Sequence, residues 1–223
     1  MKRGERKPRR PGERADLRYE EIIEAAVSVY RDGGVEVLSM RSVARAIGVA
    51  PNALYSHVRD KADIVAGVID SLLGEIESID SGSNWKEAIY RLMTSSRIVL
   101  LRYGDLMPFF VGQATRGENA IRLGEKSLEH LSRAGLSERD AVEALQILLV
   151  YTVGFAAQEF PREADPDPHD RKNRSRSAFR HEKGLPFTNA SAELLSEYPS
   201  DTTFERGLRW LIQGIELGAA KTS

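Results

Sequence analysis

The sequence predicts an all-α protein with a small N-terminal unit and a larger helical unit after it. Three observations carry this. Apolar residues recur at helical spacing along nearly the whole chain, without the alternation that marks strands. Caps, prolines and glycines punctuate that periodicity at helix-length intervals. The run Ser81-Gly-Ser-Asn84 then interrupts it and separates the two units.

Residues 1–16 read as a disordered basic arm, with seven Lys/Arg against two Asp/Glu in the first 14 positions. Residues 17–79 form the first unit. A helix over 17–32 carries the apolar stripe Ile22, Ile23, Ala26, Val29 and Tyr30, and Gly33-Gly34 ends it. A second helix starts after Ser39, whose hydroxyl accepts from the free N–H groups of the first turn, and stops at Gly48. A short third helix opens on Pro51, where the missing N–H has no intrahelical partner to lose, and ends near His57. A fourth follows the cap Asp60 and runs to about residue 79. The second unit, 84–220, reads as helices over 84–103, 105–113, 117–134, 137–160, 189–197 and 202–220. Its proline- and charge-rich stretch 161–189 is expected to be a mobile loop.

The net charge of −1 is unevenly spread: residues 1–63 hold 13 Lys/Arg and 10 Asp/Glu, so the excess of bases lies at the end that would meet a polyanion. The chain has no cysteine, which excludes a disulfide scaffold, a thiolate metal site and a cysteine nucleophile. The longest apolar run, Ile147 to Ala157, is about half of the ~20 residues a bilayer requires, and no secretory leader is visible. A soluble cytoplasmic protein with no membrane partner is expected. No phosphate loop, nucleophile elbow or paired metal-ligand spacing occurs, so no catalytic residue, metal or cofactor is assigned. His130 reads as a solvated helix residue.

The informative stretch is residues 38–61. A helix-turn-helix requires a small residue where its helices cross, a residue at positive φ in the turn, and an apolar anchor on the inner face of the second helix. Ala44, Gly48 and Leu54 occupy those positions, with Val49 filling the corner. The opposite face would then carry Arg41, Pro51, Asn52, Ala53, Tyr55, Ser56 and His57, with Lys61 following. Arg41 is able to donate two hydrogen bonds to guanine O6 and N7, and Tyr55, His57 and Lys61 are able to reach phosphates. Double-stranded DNA is the expected partner.

Residues 17–69 resemble the DNA-binding domain of the tetracycline repressor family. The likeness rests on the amphipathic first helix, Leu38-Ser-Met-Arg41, Ala44, Ile47-Gly-Val49, Leu54-Tyr-Ser-His-Val58 and Lys61. It continues more faintly through Ala134-Gly-Leu-Ser-Glu-Arg-Asp-Ala141, Gly154-Phe-Ala-Ala-Gln-Glu159 and the segment Phe204 to Ile215. Two positions depart from the pattern: Ala50 and Arg18 stand where capping residues are common. The resemblance implies that Arg41 reads a base, that Asn52 faces the major groove, and that Tyr55, His57 and Lys61 hold the backbone. It also implies a homodimer, released from a palindromic operator by a small effector.

In the larger unit the helices 137–160 and 202–220 are apolar on more than one side, as buried helices are. The resemblance makes them the dimer bundle, and Leu148, Tyr151, Phe155, Leu208, Leu211 and Ile215 are the interface candidates. Candidates for an effector site are Ile89, Leu92, Met93, Ser96, Phe109, Phe110, Gln113, Leu145 and Leu149, a set suited to a largely hydrophobic molecule. The founding member of the family holds a magnesium–drug chelate. Its chelating positions correspond to Leu92 and to Phe109 or Phe110 in this chain, which supply no imidazole or amide for a metal. Two other functional readings compete with an effector-released repressor. One is a DNA-binding regulator controlled by a protein partner; the other is a helical enzyme with an incidental helix-turn-helix.

Overall fold

The computed structural model describes residues 17–77, 84–112, 117–163, 167–180 and 184–222, so the basic arm 1–16 and Gln113 lie outside the described residues. All regular structure among the described residues is helical. It comprises α1 (Tyr19–Val37), α2 (Met40–Ile47), a 3₁₀ segment (Pro51–Ser56), α3 (Lys61–Leu73), α4 (Trp85–Arg102), a 3₁₀ turn (Gly104–Leu106), α5 (Met107–Gly112), α6 (Glu118–Arg133), α7 (Glu138–Glu163), α8 (Pro168–Phe179), α9 (Pro186–Glu197) and α10 (Asp201–Thr222). The chain divides into two compact units, Met1–Glu75 with Pro108–Ile121, and Ile76–Met107 with Arg122–Ser223.

The N-terminal unit packs α1 against α2 and α3. Ile22, Ala26, Leu38, Val43, Ala44, Leu54, Ile64 and Val68 are all fully buried there. Each Val, Leu or Ile side chain among them contributes roughly 1.5–3 kcal/mol on leaving water, opposed by the entropy of ordering the chain. The helical backbone breaks at Gly33-Gly34, where Gly34 takes φ 72°, and only Val35–Val37 follow in α1 beyond that kink. Gly67 lets α1 and α3 approach closely, since a Cβ there would lie 2.4 Å from Ile23 Cδ1. Segment 108–121 belongs to this unit and interrupts the continuous second unit expected from residue 84. Asp70 of α3 supplies the physical tie. Its carboxylate accepts the backbone N–H groups of Asn119 (3.2 Å) and Ala120 (2.9 Å), and so caps the start of α6.

The C-terminal unit packs α4 on α7, with α10 against both. The face of α7 formed by Ala141, Leu145, Leu148, Thr152, Phe155 and Glu159 is buried. By length and composition α7 is long enough to cross a membrane, beyond the apolar run read from the sequence. One face of it, however, is packed against α4 and α10 and carries the buried carboxylate of Glu159. Tyr151 stacks on Phe204 at 5.4 Å and donates to the Phe204 carbonyl at 2.9 Å, and burial raises its phenol to about 12.

The loop expected over 161–189 is corrected. α7 runs on through Pro161 to Glu163, α8 occupies 168–179, and α9 starts at Pro186. Asp167 accepts from the Asp170 N–H at 2.9 Å, so α8 has a capped start with Pro168 in its first turn. The charges that suggested a solvated loop pair between helices: Lys172 with Glu197 (2.9 Å) and Glu193 (3.3 Å), and Arg176 with Glu193 (3.3 Å). His130 is also corrected. It is buried on α6, and burial pushes its imidazole pKa down.

Gly67→Ala gains up to about 1 kcal/mol of helix propensity, but its methyl would lie 2.4 Å from Ile23 Cδ1 and 2.7 Å from the Tyr19 hydroxyl, so both side chains must shift. A net loss of roughly 1–2 kcal/mol is expected, read as a lower urea midpoint at unchanged slope.

Candidate nucleic-acid interface

The recognition geometry starts from the caps of α2. Ser39 Oγ accepts from the Ser42 N–H at 3.1 Å, and Ser42 Oγ accepts from the Ser39 N–H at 2.9 Å. This reciprocal box fixes the first turn that carries Arg41. At the other end Gly48 takes φ 82°, and the Ala44 carbonyl accepts the N–H groups of both Gly48 (2.9 Å) and Val49 (3.0 Å). A side chain at Gly48 would be strained by conformation alone, since open space surrounds it.

The chain then runs through extended Ala50 into the 3₁₀ segment Pro51–Ser56. Neither Ala50 nor Arg18 provides a side-chain cap, in line with their departure from the family pattern. Six residues without a cap support tight turns better than an α-helix, which must first meet its nucleation cost. Leu54 is fully buried and Val58 is 2% exposed. The Leu54 carbonyl accepts the N–H groups of His57 and Val58, both at 2.9 Å.

That inward anchor leaves Pro51, Asn52, Ala53, Tyr55, Ser56 and His57 exposed, with Tyr55 at 56%. Arg41 and Lys61 are exposed as well. All eight candidates therefore reach solvent from one helix-turn-helix and the helix after it. Lys61 has a partner that its sequence did not indicate, since its ammonium donates to the Val35 carbonyl near the end of α1 at 3.1 Å. The anion site expected at the start of α3 is partly taken from within. Asp60 accepts from the Asp63 N–H at 3.0 Å, and Asp63 accepts from both the backbone and the guanidinium of Arg59.

Arg45 is a residue that sequence reasoning missed. It is exposed, and its spacing of four from Arg41 puts the two guanidiniums one turn apart on the same side of α2. That spacing was the available signal.

The remaining candidates fall elsewhere. Ile89, Leu92 and Met93 are buried on α4, Ser96 is half-buried, and Leu145 is buried on α7. Leu149 is 38% exposed, one turn after Leu145 at the edge of the buried face of α7. Phe109 and Phe110 are half-buried and belong to the N-terminal unit. There Phe109 joins Tyr19, Ile23, Asp63, Gly67 and Asp70 around an open cleft of about 710 Å³. Among the dimer candidates, Leu148, Phe155 and Leu208 are corrected. They pack in the core of a single chain and have no surface to offer a second one. Tyr151, Leu211 and Ile215 are half-buried.

Residues 22–68 match the model of bacterial regulatory proteins of the tetR family, and residues 80–218 match that of the tetracyclin repressor-like C-terminal domain. The class A tetracycline repressor of transposon 1721 from Escherichia coli is 27% identical over 197 residues, spanning 87% of this chain and 88% of that protein. An HTH-type transcriptional regulator of Saccharopolyspora erythraea is 26% identical, spanning 89% and 84%. In fold, the chain superposes on the Streptomyces coelicolor protein ActR in complex with actinorhodin with a TM-score of 0.83 at 22% identity, covering 94% and 100% of the two chains.

The Arg59 guanidinium holds the Asp63 carboxyl down at about 2, below the ordinary value of 3.8. The carboxylate form is thus favoured in the fold. Its stabilisation is complete above about pH 4 and fades as pH falls towards 2. Asp63→Asn is expected to lose less stability than the parent across that window, measured by denaturant titration at several acid pH values.

Proposed function

Since the chain belongs to the tetracycline repressor family, we propose that this DNA-binding transcriptional regulator is a homodimeric repressor which a small, largely hydrophobic effector releases from a palindromic operator. One observation carries the proposal. Burial of Leu54 turns Tyr55, His57, Asn52 and their neighbours outward beside Arg41 and Arg45, where bases and phosphates would be met. Each subunit would lay its 3₁₀ segment in the major groove of one half-site. The arm 1–16 would add sequence-independent phosphate affinity.

A second copy of the chain accounts for an exposed face that a single chain leaves without purpose. Ile147 and Val150 on α7, and Trp210 and Leu217 on α10, are between 53% and 71% exposed. Gly154 and Gly214 lie on the same two helices, and a Cβ at either would meet no atom of the described residues within 4 Å. Glycine is not required there by the single-chain fold; it leaves room for another backbone to approach. The dimer reading moves accordingly from Leu148, Phe155 and Leu208 to these residues.

The effector site is assigned to the C-terminal unit, where α4 and α7 bring the apolar side chains of Leu92, Met93 and Leu145 and the hydroxyl of Ser96. The relatives support a small molecule as the signal: one is named a tetracycline repressor, and ActR of the same fold was solved with actinorhodin.

Three variants test the reading. On a duplex carrying its operator, Arg41→Ala is expected to weaken binding by about 1–3 kcal/mol and to relax preference at one base pair per half-site. Lys61→Ala is expected to weaken all sequences alike and to lower the salt slope by about 1. Both are read by fluorescence anisotropy against salt. Gly214→Leu should keep the helical content of the parent while raising the dimer dissociation constant at least about tenfold in sedimentation equilibrium. An unchanged dimer would contradict the face assigned to α7 and α10.

A further inference from the structure

The C-terminal unit contains one buried cation, Arg97 of α4, 5% exposed, among the described residues. Its Nε donates to Glu159 Oε2 of α7 at 2.7 Å, and its Nη2 donates to Glu159 Oε1 and to Asp201 Oδ1 in the first turn of α10. The guanidinium also lies over the ring of Phe204 on α10 at 4.8 Å and of Phe155 on α7 at 5.9 Å. A single planar group thereby engages three helices through two carboxylates and two aromatic faces.

The rest of the α7–α10 packing is of a different kind. It is made largely of Leu148, Phe155, Phe204, Leu208 and Ile212, whose apolar contact is non-directional and tolerates rotation and sliding. The guanidinium–carboxylate pair is directional, because a planar fork accepts its partners only along fixed lines. The Tyr151 hydroxyl on the Phe204 carbonyl is a second directional link between the same helices. A buried ion pair of this type adds little net stability over an apolar replacement, so orientation is what it supplies in addition to packing.

Those two helices carry the exposed apolar face on their other sides. Val150 and Gly154 precede Phe155 on α7 by five residues and by one, and Trp210 follows Phe204 and Leu208 on α10. We infer that Arg97 is the positioning residue for the dimer face, fixing α10 against α7 so that Val150, Gly154, Trp210, Gly214 and Leu217 form one surface complementary to a second copy. Ser96 is its sequence neighbour and Met93 lies one turn earlier, so the helix assigned to the effector is the one that carries this tie. The inference rests on the dimer reading above.

The test compares the full-length parent with Arg97→Met/Glu159→Leu and with Asp201→Asn. The double variant removes both buried charges together and leaves neither unpaired. Asp201 has a largely exposed side chain, so its substitution does not threaten the core. Thermal midpoint and circular dichroism report folding; sedimentation equilibrium reports the dimer constant. The double variant is expected to keep the parent's helical content and to raise the dimer dissociation constant about tenfold or more, with Asp201→Asn raising it about threefold or more. A purely structural role would lower the thermal midpoint and leave the dimer constant of the folded protein within about threefold, which would overturn the inference. Should the double variant fail to fold, Asp201→Asn decides by the same threefold limit. A monomeric parent would overturn the dimer reading and this inference together, whereas a dimeric parent with equally dimeric variants would overturn this inference alone.

Discussion

Burial of Leu54 is the constraint on which the exposed row of the helix-turn-helix, the proposed DNA face, depends. With no surface left exposed, that side chain fixes the rotation of the 3₁₀ segment about its own axis, and the solvent side of the segment follows from geometry. Gly48 at φ 82° turns the chain so that the 3₁₀ segment packs on α2, with Val43, Ala44 and Leu54 all fully buried. The Ser39–Ser42 box starts α2 at the residue before Arg41. Tight turns, caps and one apolar anchor therefore set the outward row, and the row itself contributes little to stability. The division is physical: groups that meet DNA must stay solvated until they bind, so the fold has to hold them from behind.

The C-terminal unit solves a different problem. It packs as a single chain and leaves exposed an apolar surface that the proposed second copy would cover. α7 and α10 are amphipathic in an unusual sense, with one apolar face inside and another outside, and the interior face carries the polar ties. Arg97, Glu159 and Tyr151 supply direction to a contact that apolar packing alone would leave loosely specified. An effector held by α4 would act on the same tie. To shift a regulator from 1:99 to 99:1 between its DNA-bound and released forms it must favour one of them by about 10⁴-fold, or ~5.5 kcal/mol. A change of that size is within reach of rearranged helix contacts and beyond that of a single exposed salt bridge.

The helix-turn-helix was legible because its signals are local. Ser39, Gly48, Pro51 and Asp60 mark their elements through backbone chemistry that neighbours in sequence decide. The second unit was legible only in its periodicity. An apolar residue on α7 or α10 reads the same whether it faces its own core or a second chain, so periodicity does not separate the buried Leu148, Phe155 and Leu208 from the exposed Val150 and Trp210. Stretch 161–189 looked like a loop because its charges have no partner within the sequence window; Glu193 and Glu197 supply the partners from the next helix. His130 sits among charged neighbours in sequence, and only the fold buries it. The grouping of 108–121 with the first unit depends on Asp70, some fifty residues earlier, and no local pattern announces it.

The most direct test of the central claim is selection from a randomised duplex library with the full-length chain, followed by sequencing, at two salt concentrations. A two-fold symmetric motif that persists at the higher salt is the predicted result, since two copies of the row around Leu54 would each read one half-site. Weak binding without a motif, falling steeply with salt, would show that the chain holds DNA by charge alone and would contradict the assignment of Arg41 and the 3₁₀ segment as readers of sequence.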